Sequence, residues 1–173
     1  EVKALKDFTD LLEDFIAVSK TPELDLLVVD ESQDLSLMQW HMVEKMSETA
    51  ERVILAGDDD QAIFQWAGAD VQYLQDQTEA SDKVEVLGIS YRVPRTVQKL
   101  ARELIGRAET RTVKEWEPRE EEGSISYHRN LSTVDMGKGS WLVLARNTYL
   151  LEEAEQQCRL EGLFYSKSNK PSI

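Results

Sequence analysis

The sequence carries a single cysteine, Cys158, so neither an internal disulfide nor a multi-cysteine zinc site can form within it. Its two histidines, His41 and His128, are far apart and lack partners at metal-ligand spacing, which reads both as structural residues. No run of about 18 apolar residues occurs, so no helical membrane span is expected. The opening residues EVKALKDF have neither a basic start nor a continuous apolar segment, so no secretory signal is legible there and a cytoplasmic setting is expected. Positive charge is also scarce. Lys and Arg number 20 against 33 Asp and Glu, a net charge of -13, which argues against a nonspecific nucleic-acid binder held by bulk electrostatics.

What is present suits a folded protein of one domain, or one and a half. Apolar residues make up 41% of the 173, enough for a core. The charge is distributed unevenly. Residues 1–90 hold 21 acids and 6 bases, and residues 91–173 hold 12 acids and 14 bases. That break predicts two structural units, 1–90 and 91–173, meeting at Ser90–Tyr91.

Periodicity gives the elements. Residues 4–18 place Leu5, Phe8, Leu12, Phe15 and Ile16 near one face of an amphipathic helix. Leu24–Val29 reads as a strand buried on both faces, as in a parallel sheet. Ser36 is positioned to cap a helix running to about Met46. Arg52–Ala56 is a second apolar strand and Val84–Leu87 a third, before a helical pattern over Arg95–Ile105. The stretch EWEPREEEGS (115–124) reads as a charged, exposed connection, followed by the strand-like segments SISYH (124–128) and WLVLAR (141–146). Asn147 is a candidate cap for a helix through Leu160, with Gly162 as its stop. Alternating strands and helices predict an α/β fold with a mostly parallel sheet.

In open α/β sheets, ligands sit outside the carboxyl ends of the strands, where Asp30 and Glu31 fall. One strand-end carboxylate can hold a hard cation such as magnesium, which keeps several waters. Its neighbour, pointing to the other side, can orient and deprotonate an attacking water. The second strand ends in the same way, with glycine and then Asp58, Asp59, Asp60 and Gln61. Gln61 can both donate and accept, which suits a phosphate oxygen or a water. Phe64 and Trp66, at spacing two, suit either core packing or a platform for stacking bases. The Asp58–Asp60 triplet lacks the ligand spacing of a calcium loop and reads as a solvated turn.

These residues carry a resemblance. LLVVDESQDLSLMQ resembles motif II, the Walker B segment, of superfamily 1 DNA helicases of the UvrD/Rep/PcrA type. ILAGDDDQAIFQWAGAD resembles their motif III and LGISYRVPRTVQKLA their motif IV, while WLVLARNTYLLEEAEQQCRLEGLFY is similar to the opening of their second motor domain. The matches run in family order from about residue 24 to 165. The resemblance implies a RecA-like, P-loop NTPase-type parallel sheet, with an incomplete first motor domain and part of a second. It implies ATP and magnesium as cofactors, and single-stranded DNA as partner in DNA repair or replication. At matching positions, Asp30 would coordinate magnesium on ATP and Glu31 would be the general base. Gln61 would sense the terminal phosphate, while Phe64 and Trp66 would touch single-stranded DNA. Tyr91 would stack on adenine, and Arg92 would approach the terminal phosphate. A guanidinium set against developing phosphate charge is a large catalytic contribution in phosphoryl transfer.

Three departures accompany it. No G-x-x-x-x-G-K-[ST] loop occurs in the 173 residues. The late motifs of the second motor domain are absent as well. Ala67 stands where the family often has an arginine after the motif III tryptophan. The expectation is a helicase fragment that hydrolyses little or no ATP alone. Two other readings stay open: a noncatalytic helicase-like scaffold, and the motor part of a recombination helicase–nuclease.

Overall fold

Aliphatic residues of the first strands need both a hydrogen-bonded neighbour and a helix to cover them, and they obtain each from nearby sequence. The computed structural model describes residues 5–18, 20–108, 111–167 and 170–171. Strand β1 (Leu27–Val29) pairs in parallel with β2 (Val53–Leu55), matching Leu27 to Val53, Val28 to Ile54 and Val29 to Leu55. Between them runs α2 (Leu37–Ser47), begun where Ser36 and Gln39 exchange side-chain and backbone hydrogen bonds in a capping box. Helix α3 (Val71–Ala80), which periodicity did not single out, starts at Asp70, whose side chain accepts from the Tyr73 amide at 3.1 Å. Leu27, Trp40, Val43 and Leu74 are the buried core of this layer, and Trp40 stacks on Tyr73 at 5.0 Å between centroids.

Helix α1 (Phe8–Val18) lies on α2, where Lys45 donates to the carbonyls of Phe15 and Ile16 at its last turn. Orphan carbonyls there gain a cation, the arrangement the helix dipole favours. The helix is shorter than its periodicity predicted, and Ala4 lies outside the described residues.

The parallel pairing is as expected, but burial on both faces is not. Leu27 points into the core whereas Val28 is 56% exposed, and Val53 and Ile54 are exposed as well. Helices α2 and α3 cover one face only. Three further expectations are corrected. Val84–Leu87, 124–128 and 141–146 form no strands. Their apolar residues suit a pleated surface, but a strand exists only when hydrogen-bonded to a neighbour, and none of the described strands pairs with these stretches. Conversely, the charged connection 115–124 contains β4 (Glu117–Arg119), paired in parallel with β3 (Ile89–Pro94). The Glu117 amide donates to the Gly88 carbonyl at 2.9 Å, and a backbone ladder is indifferent to charged side chains that point outward. Helix α4 (Arg95–Ile105) has the predicted bounds and follows β3, a strand the sequence pattern did not single out, and its buried Gln98 donates to the Trp116 carbonyl.

The chain divides into two compact units, Glu1–Gly123 and Ser124–Ile173; the charge break at Ser90–Tyr91 falls inside the first, within β3. In the second unit, the turn Thr148–Leu151 leads from Asn147 into α5 (Glu152–Glu161). Gly162, at φ 67°, ends the helix in the left-handed conformation that glycine adopts without strain. Strands β5 (Ser166–Lys167) and β6 (Lys170–Pro171) form an antiparallel pair. Among the described residues the strands thus form three separate two-stranded pairs rather than one continuous sheet. No helix among the described residues is long and apolar enough to cross a membrane.

Candidate functional site

Because β1 and β2 are parallel and in register, their carboxyl ends finish side by side. Ala56 donates to the Val29 carbonyl at 2.8 Å, and Ser32 donates back to the Ala56 carbonyl through its amide, at 3.0 Å, and its hydroxyl, at 2.8 Å. The two polar clusters predicted at strand ends therefore meet in space. Gly57 is required at this junction: a Cβ there would lie 2.4 Å from Ser32 Oγ and 3.0 Å from Gln33 Oε1.

Glu31 occupies φ 51°, ψ 40°, and is the only residue other than glycine with positive φ among the described residues. A left-handed glutamate costs about 1–3 kcal/mol, so the rest of the turn must hold it there. Asp30 accepts from the Glu31 amide at 2.9 Å, and Gln33 donates to the Glu31 carboxylate at 2.8 Å. The same Gln33, 2% exposed, accepts the Asp58 amide on its other side at 3.0 Å. One buried amide side chain thereby ties the first strand end to the second. A second tie follows close by, where the Asp70 amide donates to the Leu35 carbonyl at 2.9 Å.

Asp58–Asp60 is not the solvated turn that its sequence suggested. Lys114 reaches Asp58 at 2.7 Å and also contacts Asp59, while Arg111 grips Asp60 with two bonds of 2.8 and 2.7 Å. The Thr112 amide donates to Asp59 at 2.6 Å, and the Asp59 side chain is only 6% exposed. The countercharges come from more than 50 residues away, which is why no local window revealed them. Burial alone would push the Asp59 carboxyl up. Hydrogen bonds from Lys114, the Thr112 backbone and Gln75, with the charge of Lys114, outweigh it and hold the group at about 2 instead of 3.8. Asp58 is lowered and Lys114 raised on the same balance of burial against pairing.

A carboxyl depressed in the folded state contributes stability that is present above its open-chain pKa and is lost as pH falls through the folded value. Asp59 should therefore contribute roughly 2 kcal/mol at neutral pH that disappears between about pH 5 and pH 2. Urea midpoints should fall more steeply across that window for the native chain than for Asp59→Asn. Parallel slopes would remove Asp59 from the account.

Gln61 lies in the turn Asp59–Gln61, and its Nε2 donates to Asp58 at 2.7 Å. Phe64 and Trp66 follow, with ring centroids 6.4 Å apart and planes inclined at 51°. Trp66 is 83% exposed and Phe64 42%, so core packing does not account for the pair. Tyr91 and Arg92 stand on β3, both exposed, and no hydrogen bond or ion pair joins either to Asp30, Glu31 or Gln61 among the described residues. Gln61 and Arg92 line one broad open cleft, whose lining does not include Asp30 or Glu31. The structure thus brings Glu31, Gln33, Asp58 and Gln61 into one hydrogen-bonded group and leaves Tyr91 and Arg92 apart from it.

Among the described residues no three His, Cys, Asp or Glu side chains converge as a metal cage. Asp30 still fits a magnesium ion that keeps its waters and is shared with nucleotide phosphates, since that needs only one or two carboxylates. It is exposed at a strand end, and its Oδ2 has no protein partner among the described residues.

Comparison with known proteins agrees with the motifs. Residues 3–82 match the UvrD/REP helicase N-terminal domain family. The chain is 29% identical over 150 residues to the ATP-dependent DNA helicase PcrA of Bacillus subtilis, covering 79% of this chain and 20% of that protein. It is 25% identical over 150 residues to the ATP-dependent DNA helicase Rep of Buchnera aphidicola, covering 85% and 20%. A shorter stretch of 73 residues is 34% identical to the RecBCD enzyme subunit RecB of Mycolicibacterium smegmatis, covering 42% of this chain and 7% of RecB. The chain spans about a fifth of the length of PcrA and Rep.

Proposed function

We propose, for a chain whose residues 3–82 are of the UvrD/REP helicase N-terminal type, that these residues serve an ATP-dependent DNA helicase coupling nucleotide hydrolysis to movement on single-stranded DNA. The observation that supports this most directly is the Gln33 bridge, which holds Glu31 and the Asp58 turn in one polar group at the ends of parallel strands. Under this proposal residues 1–90 belong to a first RecA-like motor domain and residues 91–173 begin a second, a family boundary that falls inside the first compact unit of this chain.

On this reading Asp30 holds the magnesium of the bound nucleotide and Glu31 takes a proton from the attacking water. Bound magnesium would neutralise phosphate charge. Gln61, held by Asp58, contacts the terminal phosphate or the water beside it. Arg92 meets the charge developing on the transferred phosphate, and Tyr91 stacks on the base of the nucleotide. Phe64 and Trp66 present ring faces on which successive bases of a single strand stack.

The test is hydrolysis of ATP that requires magnesium and rises with single-stranded DNA, in a polypeptide joining these residues to a phosphate loop. The 173 residues alone should turn over little or no ATP, since they contain no such loop. Robust nucleotide and DNA binding without any turnover in the joined polypeptide would favour the noncatalytic scaffold instead. The RecB similarity keeps a helicase–nuclease parent as the second reading, distinguished by nuclease activity in the longer protein. Trp66→Ala should weaken single-strand binding by about 1–3 kcal/mol, read by fluorescence anisotropy of a labelled oligonucleotide, with thermal stability unchanged. Equal affinity in the variant would remove the stacking role.

A further inference from the structure

The segment 111–114 carries none of the family motifs, yet it supplies most of the donors that hold the Asp58–Asp60 turn. Lys114 bonds one oxygen of the Asp58 carboxylate, Oδ1, at 2.7 Å beside the Asp60 amide at 3.2 Å, while the other, Oδ2, accepts Gln61 Nε2 at 2.7 Å. A carboxylate gripped at one oxygen presents the other in a fixed direction. Lys114 is 17% exposed at its side chain, so water is poorly placed to substitute for it. Without this cation, Asp58 and Asp59 would lose their shared counterion and repel, and the Asp60 amide alone would be left on Asp58 Oδ1.

The same segment leads directly into β4, whose Glu117 pairs with Ile89 at the start of the strand bearing Tyr91 and Arg92. Only Glu115 and Trp116 separate Lys114 from the first residue of β4. Lys114 is thus tied to the β3–β4 pair by a short stretch of backbone and to Asp58 by its ammonium.

We propose that Lys114 is a positioning residue for Gln61, acting through Asp58, and that residues 111–116 link the strand bearing Arg92 to the Gln61 turn. The functional consequence rests on the helicase reading, whereas the link itself does not. Movement of Arg92 on its strand and reorientation of Gln61 are then one event, because Lys114 joins them by a short stretch of backbone.

The link is read first in the isotope-labelled 173-residue chain by the side-chain amide resonances of Gln61, assigned by their loss in Gln61→Ala. Lys114→Met should move these resonances to the position of an unbound glutamine amide, and Lys114→Arg should return them most of the way. Lys114→Gln serves the same purpose should the methionine variant fail to fold. Unmoved Gln61 resonances in a folded Lys114→Met or Lys114→Gln chain would overturn the proposal. The second measurement is DNA-stimulated ATP hydrolysis in the polypeptide that includes a phosphate loop. There Lys114→Met should lower kcat about tenfold with KM for ATP changed less than about twofold, the pattern of a misplaced catalytic group. Equal losses in kcat from Lys114→Met and Lys114→Arg, despite restored resonances in the latter, would overturn the functional part. Absence of turnover in the native polypeptide, with Gln61 still responding to Lys114, would support the link and sink only the helicase reading.

Discussion

Glu31→Gln should abolish nearly all ATP turnover in a polypeptide that contains these residues and a phosphate loop, while nucleotide and DNA still bind. Loss of a positioned proton acceptor costs on the order of 10²–10⁴ in rate. The replacement is close to isosteric, and its carbonyl oxygen can still accept the bond from Gln33 that Glu31 accepts at 2.8 Å. The left-handed backbone at φ 51° is retained, so its strain is unchanged. Stability should stay within about 0.5 kcal/mol of the native protein. The contrast between lost turnover and preserved folding is the diagnostic feature. It is measured by steady-state hydrolysis beside calorimetric binding of a nonhydrolysable nucleotide. Turnover retained within a few-fold would show that the base lies elsewhere and would undo the assignment of Glu31.

Gly57→Ala should be the most damaging single methyl group in the site. The new Cβ would fall 2.4 Å from Ser32 Oγ, 3.0 Å from Gln33 Oε1 and 3.2 Å from Leu74. Ser32 is fully buried and its hydroxyl donates to the Ala56 carbonyl, so it cannot retreat without losing that bond. Overpacking costs about 1–3 kcal/mol, and leaving a buried polar group unpaired costs about as much again. A total loss of about 2–6 kcal/mol is expected, read from urea midpoints. Displacement of Gln33 would also free Glu31 and the Asp58 amide from one another. Ser32→Gly in the same chain should recover part of the loss, because it removes the closest clashing atom; additive losses in the double variant would place the cost elsewhere.

Much of this protein follows from local sequence. Leu27–Val29 and Val53–Leu55 are strands because branched aliphatic residues run up to polar groups and glycine. Ser36 with Gln39 writes the start of α2, and Arg95–Ile105 forms the helix its periodicity implies. Asp30, Glu31 and Gln61 could be nominated because two apolar strands end alike in polar groups able to serve a metal and a phosphate, in an order that resembles the family motifs.

Other features were decided by tertiary structure. Nothing near Asp58–Asp60 announces Arg111 and Lys114, since ion pairs form across space and any of the chain's cations could have filled the role. Val84–Leu87 and Trp141–Arg146 have strand composition without being strands, because pairing belongs to two segments and composition to one. The left-handed turn at Glu31 was likewise invisible, as glutamate has no preference for it and only the surrounding bonds impose it. Local propensity and pattern determined which elements exist and which residues end them. Packing decided which ends meet, through the in-register pairing of β1 with β2 and the buried bridge of Gln33, because contact between distant residues is a property of the whole fold.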